Sequence, residues 1–425
     1  MATAVMAAVV GLLLGRFAFT GRSGVEGTGA PAPVARGTEA EVNSLQAWLR
    51  TFPDDPVALT RLASAYLARG RETGEPSWTA KAAEAVDRSR AIDPASPETT
   101  TVAGLLALTR HDFGAALELG LAASAARPAS ADPMAVVVDA LVELGRYEEA
   151  VDAAQRMVNL RPSLASLARV SYLRELHGDR PGAVAAMAQA VAAGSGVGAD
   201  MAGTEVLLGD LHLGGGDLVT AEAAYQRALE LVPGNGPSEV GLARIEAARG
   251  DVAAAVDRLD RLVTRLPGSA WAALLGDLHG AAGRSQEARA QYELVRRIEE
   301  LNRLSGMDVD LELARFEADR GDAEKAVVLA RSALAKRPTV YASDALAWAL
   351  RQAGRPAEAL AHARDAVRLG TVDGVLWYHL AAIEADLGLV DDARQHVARA
   401  FEVSPYLTVL DLPEATALAG RLGWP

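Results

Sequence analysis

The sequence predicts an all-α solenoid of stacked helix–turn–helix units, and three observations carry that prediction. Glycines recur at Gly145, Gly178, Gly216, Gly250, Gly283, Gly321, Gly354 and Gly388, spaced by 33, 38, 34, 33, 38, 33 and 34 residues. Each is followed five residues later by an alanine: Ala150, Ala183, Ala221, Ala255, Ala288, Ala326, Ala359 and Ala393. Half of the 425 residues are apolar but only 5% are aromatic, so alanine, leucine and valine must do most of the packing. A period this regular marks supersecondary units that bury their apolar faces against their neighbours, and alanine is the strongest helix former.

The elements follow in order. Residues 1–20 hold an apolar run from Ala2 to Gly15, then Arg16 and three more apolar residues. The run is short of the roughly 20 apolar residues a full span needs, unless Arg16 snorkels to an interface. Residues 21–37 are a Gly/Pro/Ala-rich linker with no means of forming a core. Together they predict a signal or membrane anchor followed by a tether, and a chain that is membrane-anchored or exported. Arg16 and Arg22 favour a cytoplasmic domain by the positive-inside rule, whereas the Pro-rich tether and the signal-like run favour export. The side of the membrane stays open.

Ordered structure is expected from Thr38, where TEAE (38–41) fits a capping box. A half-repeat helix then occupies 38–55, about ten repeats fill 56–405, and 406–425 form a capping segment. Within a unit the glycine is the joint, because it tolerates left-handed dihedrals at a helix end. The alanine and a small residue seven before the glycine, such as Gly209 or Gly276, allow two helices to approach closely. A proline seventeen after the glycine stops the second helix, since it has no N–H to donate. The stops are Pro162, Pro233, Pro267, Pro338 and Pro405. Gly145, Ala150 and Pro162 are thus joint, contact and stop of one unit. Gly216, Ala221 and Pro233 serve a second, and Gly388, Ala393 and Pro405 a third. Two early units are degenerate: 56–94 carries an insertion (RETGEPSW), and in 97–128 His111 takes the joint position.

On these residues the chain resembles the tetratricopeptide-repeat (TPR) family. The last unit fits its pattern with Trp377, Leu380, Ala381, Gly388, Ala393, Ala400 and Pro405, and 205–233 fits with Leu208, Gly209, Ala221, Tyr225, Ala228 and Pro233. The stretches SYLRELHGD, DVDLELA and DALAWAL also resemble uncharacterised bacterial TPR proteins. The resemblance spans 38–425. It implies a right-handed superhelix whose first helices line a concave groove, and a scaffold or adaptor that binds protein rather than an enzyme. The peptide-carboxylate clamp of some relatives needs lysines and asparagines in the groove. They are absent here, so that specificity does not carry over.

Composition narrows the chemistry. A net charge of −13 lacks the basic footprint that nucleic-acid binding needs. There is no cysteine, hence no thiolate nucleophile, disulfide or zinc–cysteine site. GSGVGAD (194–200) and LGGGD (213–217) lack the GK[ST] ending of a phosphate loop. No catalytic motif and no cofactor signature is present. LLGDLH occurs twice, giving Asp210 with His212 and Asp277 with His279. The copies lie two repeats apart, too far to share a metal when packed helices are about 8–10 Å apart. The resemblance gives each histidine the place of a packing tyrosine, which favours structure over metal binding.

The groove remains. Six residues before the joints stand Asp139, Tyr172, Asp210, Arg244, Asp277, Arg315, Trp348 and Ala382. Ten before, small and aliphatic residues lead up to Asp344 and Tyr378. Asp210, Arg244, Asp277 and Arg315 alternate in sign, so they form either an ion-pair ladder between repeats or, with Tyr172, Trp348 and Tyr378, a surface that reads a partner. The insertions at 71–79, 194–200 and 301–308 break the period and are either tolerated loop growth or binding loops. The sequence thus predicts a protein- or peptide-binding scaffold with no cofactor. A self-assembling module and a metal-binding accessory protein are the alternatives.

Overall fold

A computed structural model describes residues 37–194 and 198–424. The apolar segment 1–20 and nearly all of the 21–37 linker lie outside the described residues, as does part of the 194–200 loop. The described residues form 22 helices and no strand. Helix α1 (Thr38–Thr51) is followed by ten antiparallel pairs and a final helix, α22 (Asp411–Arg421). The pairs are α2 (Pro56–Thr73) with α3 (Ser77–Ile92), α4 (Pro97–Thr109) with α5 (Phe113–Ala126), and α6 (Asp132–Glu143) with α7 (Tyr147–Leu160). Next come α8 (Leu164–Leu176) with α9 (Arg180–Ala193), α10 (Ala199–Gly214) with α11 (Leu218–Leu231), and α12 (Gly236–Ala248) with α13 (Val252–Arg265). The last four are α14 (Ser269–Ala281) with α15 (Ser285–Leu304), α16 (Asp310–Arg320) with α17 (Ala323–Lys336), α18 (Val340–Gln352) with α19 (Pro356–Ala366), and α20 (Gly374–Asp386) with α21 (Val390–Val403).

The local grammar acts as its chemistry requires. The second helices α7, α11, α13, α17 and α21 each end two residues before Pro162, Pro233, Pro267, Pro338 or Pro405. The residue between is extended or otherwise non-helical, because a following proline disfavours the helical conformation. The alanines five after the joints are all buried, and seven of the eight joint glycines adopt positive φ. Gly321 is the exception, at φ −146°. There the space is what matters: a Cβ would fall onto the Glu317 carboxylate. His111, at the joint of the second pair, is the one positive-φ residue other than glycine among the described residues. The expected capping box at Thr38 does not form. Thr38 is already the first helical residue, and its hydroxyl donates to Glu72 on α2 instead.

Contacts between distant pairs close the solenoid on itself. The Val340 amide donates to the Tyr147 hydroxyl, 193 residues apart. Arg337 binds Glu143 across 194 residues, and Arg180 donates to the Val372 carbonyl across 192. His111 Nδ1 meets the Asp308 carbonyl oxygen at 2.6 Å across 197 residues. In each case the joint region of one pair faces the closing loop of the fifth pair after it. Gly74 and Leu266–Pro267, Gly145 and Pro338, Gly178 and Gly370, and Gly216 and Pro405 repeat the arrangement. With units of about 34 residues, one superhelical turn takes between five and six pairs. The 301–308 insertion lengthens α15 and brings Asp308 to this seam, where its amide also donates to the Arg110 carbonyl.

The seam separates two kinds of joint glycine. A Cβ at Gly145 (φ 68°) would sit 2.3 Å from the Pro338 carbonyl oxygen, whereas one at Gly354 (φ 72°) meets nothing within 4 Å. Gly354→Ala is expected to cost about 1–2 kcal/mol, the left-handed strain alone. Gly145→Ala adds the seam collision and should cost about 2–4 kcal/mol. Denaturant midpoints of the two variants check this, and equal losses would show that the seam is not in close contact.

Candidate functional site

The first helices of consecutive pairs bring Asp210, Arg244, Asp277, Arg315 and Trp348 onto the wall of one cavity of about 300 Å³. Its wall also takes residues from α5, α6, α15 and the α21–α22 loop, so the groove is a lumen closed by the seam. Tyr172 and Tyr378 do not line it. Both are buried, and the Tyr172 hydroxyl finds no protein partner. Asp139 and Ala382 are buried as well.

The repeated LLGDLH stretch is a packing device. In each copy the glycine seats a tyrosine ring from the second helix. A Cβ at Gly209 would lie 2.6 Å from the Tyr225 ring, and one at Gly276 would lie 2.4 Å from Tyr292. The neighbouring aspartate accepts the same tyrosine's hydroxyl, Tyr225 to Asp210 at 2.7 Å and Tyr292 to Asp277 at 3.0 Å. An arginine from a later pair then neutralises the carboxylate. For Asp210 it is Arg244, at 3.3 Å. Burial raises the Asp210 pKa, and Arg244 and Tyr225 oppose the rise. The histidines of the motif do not join these carboxylates. His212 faces Asp217 at 3.5 Å and His279 is buried. Among the described residues no group of three or more His, Cys, Asp or Glu side chains is arranged to hold a metal ion.

The Asp–Arg alternation does not make a continuous ladder. Asp210–Arg244 is a rung, but Asp277 is bound by both arms of Arg320 at 2.7 and 2.6 Å, not by Arg244 or Arg315. Arg315 turns to Asp344 on the next first helix, 3.4 Å away. Arg320 stands directly before the Gly321 joint, outside the six-before position, which is why a strict count misses it. Asp139, at the head of the series, pairs with Arg169 in a bidentate bridge of 2.8 and 2.6 Å, with both side chains buried.

Trp348 anchors the far end of the lumen. Its indole N–H donates to Asp319 at 2.6 Å, and its ring stacks on His379 with centroids 3.8 Å apart and planes within 10°. His379 Nδ1 lies 2.8 Å from Asp344 and Nε2 lies 3.8 Å from Asp411, at the start of α22. Burial alone would lower the His379 pKa, but the two aspartates override it and hold it at about 9. The imidazolium therefore ties the terminal helix to two repeats. Its neighbour Tyr378 drew notice from its spacing, whereas His379 had no positional signal.

Together these features define a helical-repeat solenoid with a charged lumen. Family models described as tetratricopeptide repeat match residues 175–236, 212–278 and 345–406. The chain thus carries tetratricopeptide repeats in these stretches. Such repeats serve as protein-interaction scaffolds, and the family is generally non-enzymatic. No curated protein sequence matches the chain. Among solved structures it is similar to the APC/C hetero-tetramer Cut9-Hcn1, at 13% identity over 91% of this chain and 93% of that one, with a TM-score of 0.39. A thermophilic TPR protein in Thermus thermophilus is similar at 23% identity, over 46% of this chain and 99% of that one, with a TM-score of 0.40.

Proposed function

We propose that this chain is a non-enzymatic scaffold or adaptor that takes a segment of a partner protein into the lumen. The observation that carries the reading is the lumen wall. Successive first helices contribute the side chain at the same position of each pair, Asp210, Arg244, Asp277, Arg315 and Trp348, to one cavity. The glycines, alanines and prolines of the repeat build the helix pairs, and in these five pairs the position six before the joint faces the space a ligand would enter. Cavities of this size lie at the lower end of those that hold ligands, so a short stretch or a few side chains would fill it.

Blocking the space tests the reading. Ala273 lines the lumen and is only partly buried. With the full chain as bait, Ala273→Trp is expected to reduce recovery of the captured polypeptide about tenfold, with helical circular dichroism unchanged. Undiminished recovery would place the binding surface elsewhere. Charge reversal at Arg244 or Arg315 is a poorer test, because each neutralises a carboxylate that would be left unpaired.

A membrane tether is part of the proposal. Its support is the apolar run and linker of residues 1–37; no helix among the described residues is long and apolar enough to cross a membrane. A topology reporter fused after Gly37 that is neither membrane-bound nor exported would remove this part.

A further inference from the structure

The charges of the lumen wall do not balance, and the imbalance specifies the partner. Arg320 is shared by Asp277, at 2.6 Å, and Asp319, at 3.1 Å. Arg337 is shared by Glu143, at 2.6 Å, and Glu312, at 3.6 Å. Arg244 and Arg315 hold one carboxylate each, and His379 lies between Asp344 and Asp411. Glu299 is also on the wall, and among the described residues no cationic group lies within ion-pair distance of it. Eight carboxylates thus face four guanidinium groups and one imidazolium, a formal excess of three negative charges with His111 neutral.

The two least compensated carboxylates of the wall, Glu299 and Glu312, are close enough to act on each other electrostatically. Glu299 is 4% exposed, and its side chain accepts from Asn302 Nδ2 at 3.2 Å. Glu312, also on the wall, has one carboxylate oxygen buried without any hydrogen-bond partner. Burial raises the Glu299 pKa and the charge of Glu312 adds to the rise, while hydrogen bonds from Ser269 and Asn302 and the proximity of His111 oppose it. Three of the aromatic side chains on the wall already carry a cationic or imidazole group. Arg337 lies over Phe113 at 4.8 Å, Arg320 over Phe316 at 5.6 Å, and Trp348 carries His379 on its ring. What the lumen lacks is a positive charge beside carboxylates.

Resting on the reading that the lumen takes a partner segment, we infer that this segment is basic, and that one of its lysine or arginine side chains completes the Glu299–Glu312 pair. An acidic segment would add like charge to a wall already in excess, which a desolvated interface strongly disfavours. The net charge of −13 also steers basic partners toward the chain.

The test uses the full chain and three fluorescent peptides of equal length bearing lysine, glutamine or glutamate at the same positions. The lysine peptide is expected to bind about tenfold more tightly than the glutamate peptide and to weaken as salt rises. Glu299→Gln with Glu312→Gln should weaken the lysine peptide about tenfold. The same loss of charge on the outer face, Glu148→Gln with Asp152→Asn, should leave it unchanged. Circular dichroism confirms that both variants fold. Equal binding of the three peptides, or preference for the glutamate peptide, would overturn the inference while keeping a peptide-binding lumen. Lysine-peptide binding that survives the Glu299/Glu312 changes would show adsorption to the acidic surface and also overturn it. If no peptide binds and Ala273→Trp leaves capture intact, the lumen reading itself falls.

Discussion

Arg337→Met is expected to destabilise the protein by about 3–5 kcal/mol, because it leaves Glu143 charged and buried without its partner. The two side chains are 6% and 2% exposed and 2.6 Å apart, and they join α6 to the end of the α17 unit across the seam. The lost energy belongs to long-range closure rather than to any one helix pair. Small-angle scattering should therefore show an increased radius of gyration at denaturant concentrations well below unfolding. Adding Glu143→Leu should recover much of the loss, since a buried ion pair replaced by well-packed apolar groups is often neutral. A loss below about 1 kcal/mol, the scale of an exposed pair, would mean the seam is open to solvent.

The second large effect is a pH dependence centred on His379. Its folded pKa, about 9, lies above the unfolded value of about 6.5. Its stabilisation is therefore fully present below pH 6.5 and is lost as the pH rises through 9. Asp411 has the opposite sign. Burial would raise its pKa, but His379 and Thr408 hold it at about 2, so its contribution is present above roughly pH 4 and is lost on acidification toward 2. His379 with its partners Asp344 and Asp411 should contribute most between about pH 4 and 6.5, whereas the nearby Asp319, whose pKa burial raises, works against them as the pH rises. A pKa difference of this size corresponds to about 3 kcal/mol. The stability advantage of the unaltered chain over His379→Gln should shrink by about that amount between pH 6 and 9.5. A difference between the two that does not change with pH would sink the assignment.

Much of the fold was legible because its determinants are local. Gly145 and Pro162 act on their own backbone, Ala150 on the adjacent helix, and their spacing shows the pair they build. Gly321 was misread as a left-handed joint because a glycine kept for space looks the same in sequence as one kept for dihedral freedom. Thr38 was misread because a capping pattern says nothing of a competing acceptor, Glu72, on the next helix. The lumen was legible in part. The count six before each joint found Asp210, Arg244, Asp277, Arg315 and Trp348, which share one helical face from pair to pair. It also raised Tyr172 and, at the ten-before position, Tyr378 was raised too; both are buried away from the lumen. Arg320, Arg337, Glu299 and His379 were missed. Their roles arise from neighbours in other pairs, and those of Arg337 depend on a seam that joins residues almost two hundred positions apart.

That seam has a consequence for how such a chain can change. An open solenoid can gain or lose a unit anywhere, since each unit touches only its neighbours. Here the Gly145 joint must meet the loop at Pro338, and Gly178 the loop at Gly370, so the two rows of loops mesh like the scales of a vernier. Deleting one unit between them slides every later loop out of step with its counterpart. Units within that window are therefore not interchangeable: one can replace another only if it keeps the seam residues that Glu143, Tyr147 and Arg180 require.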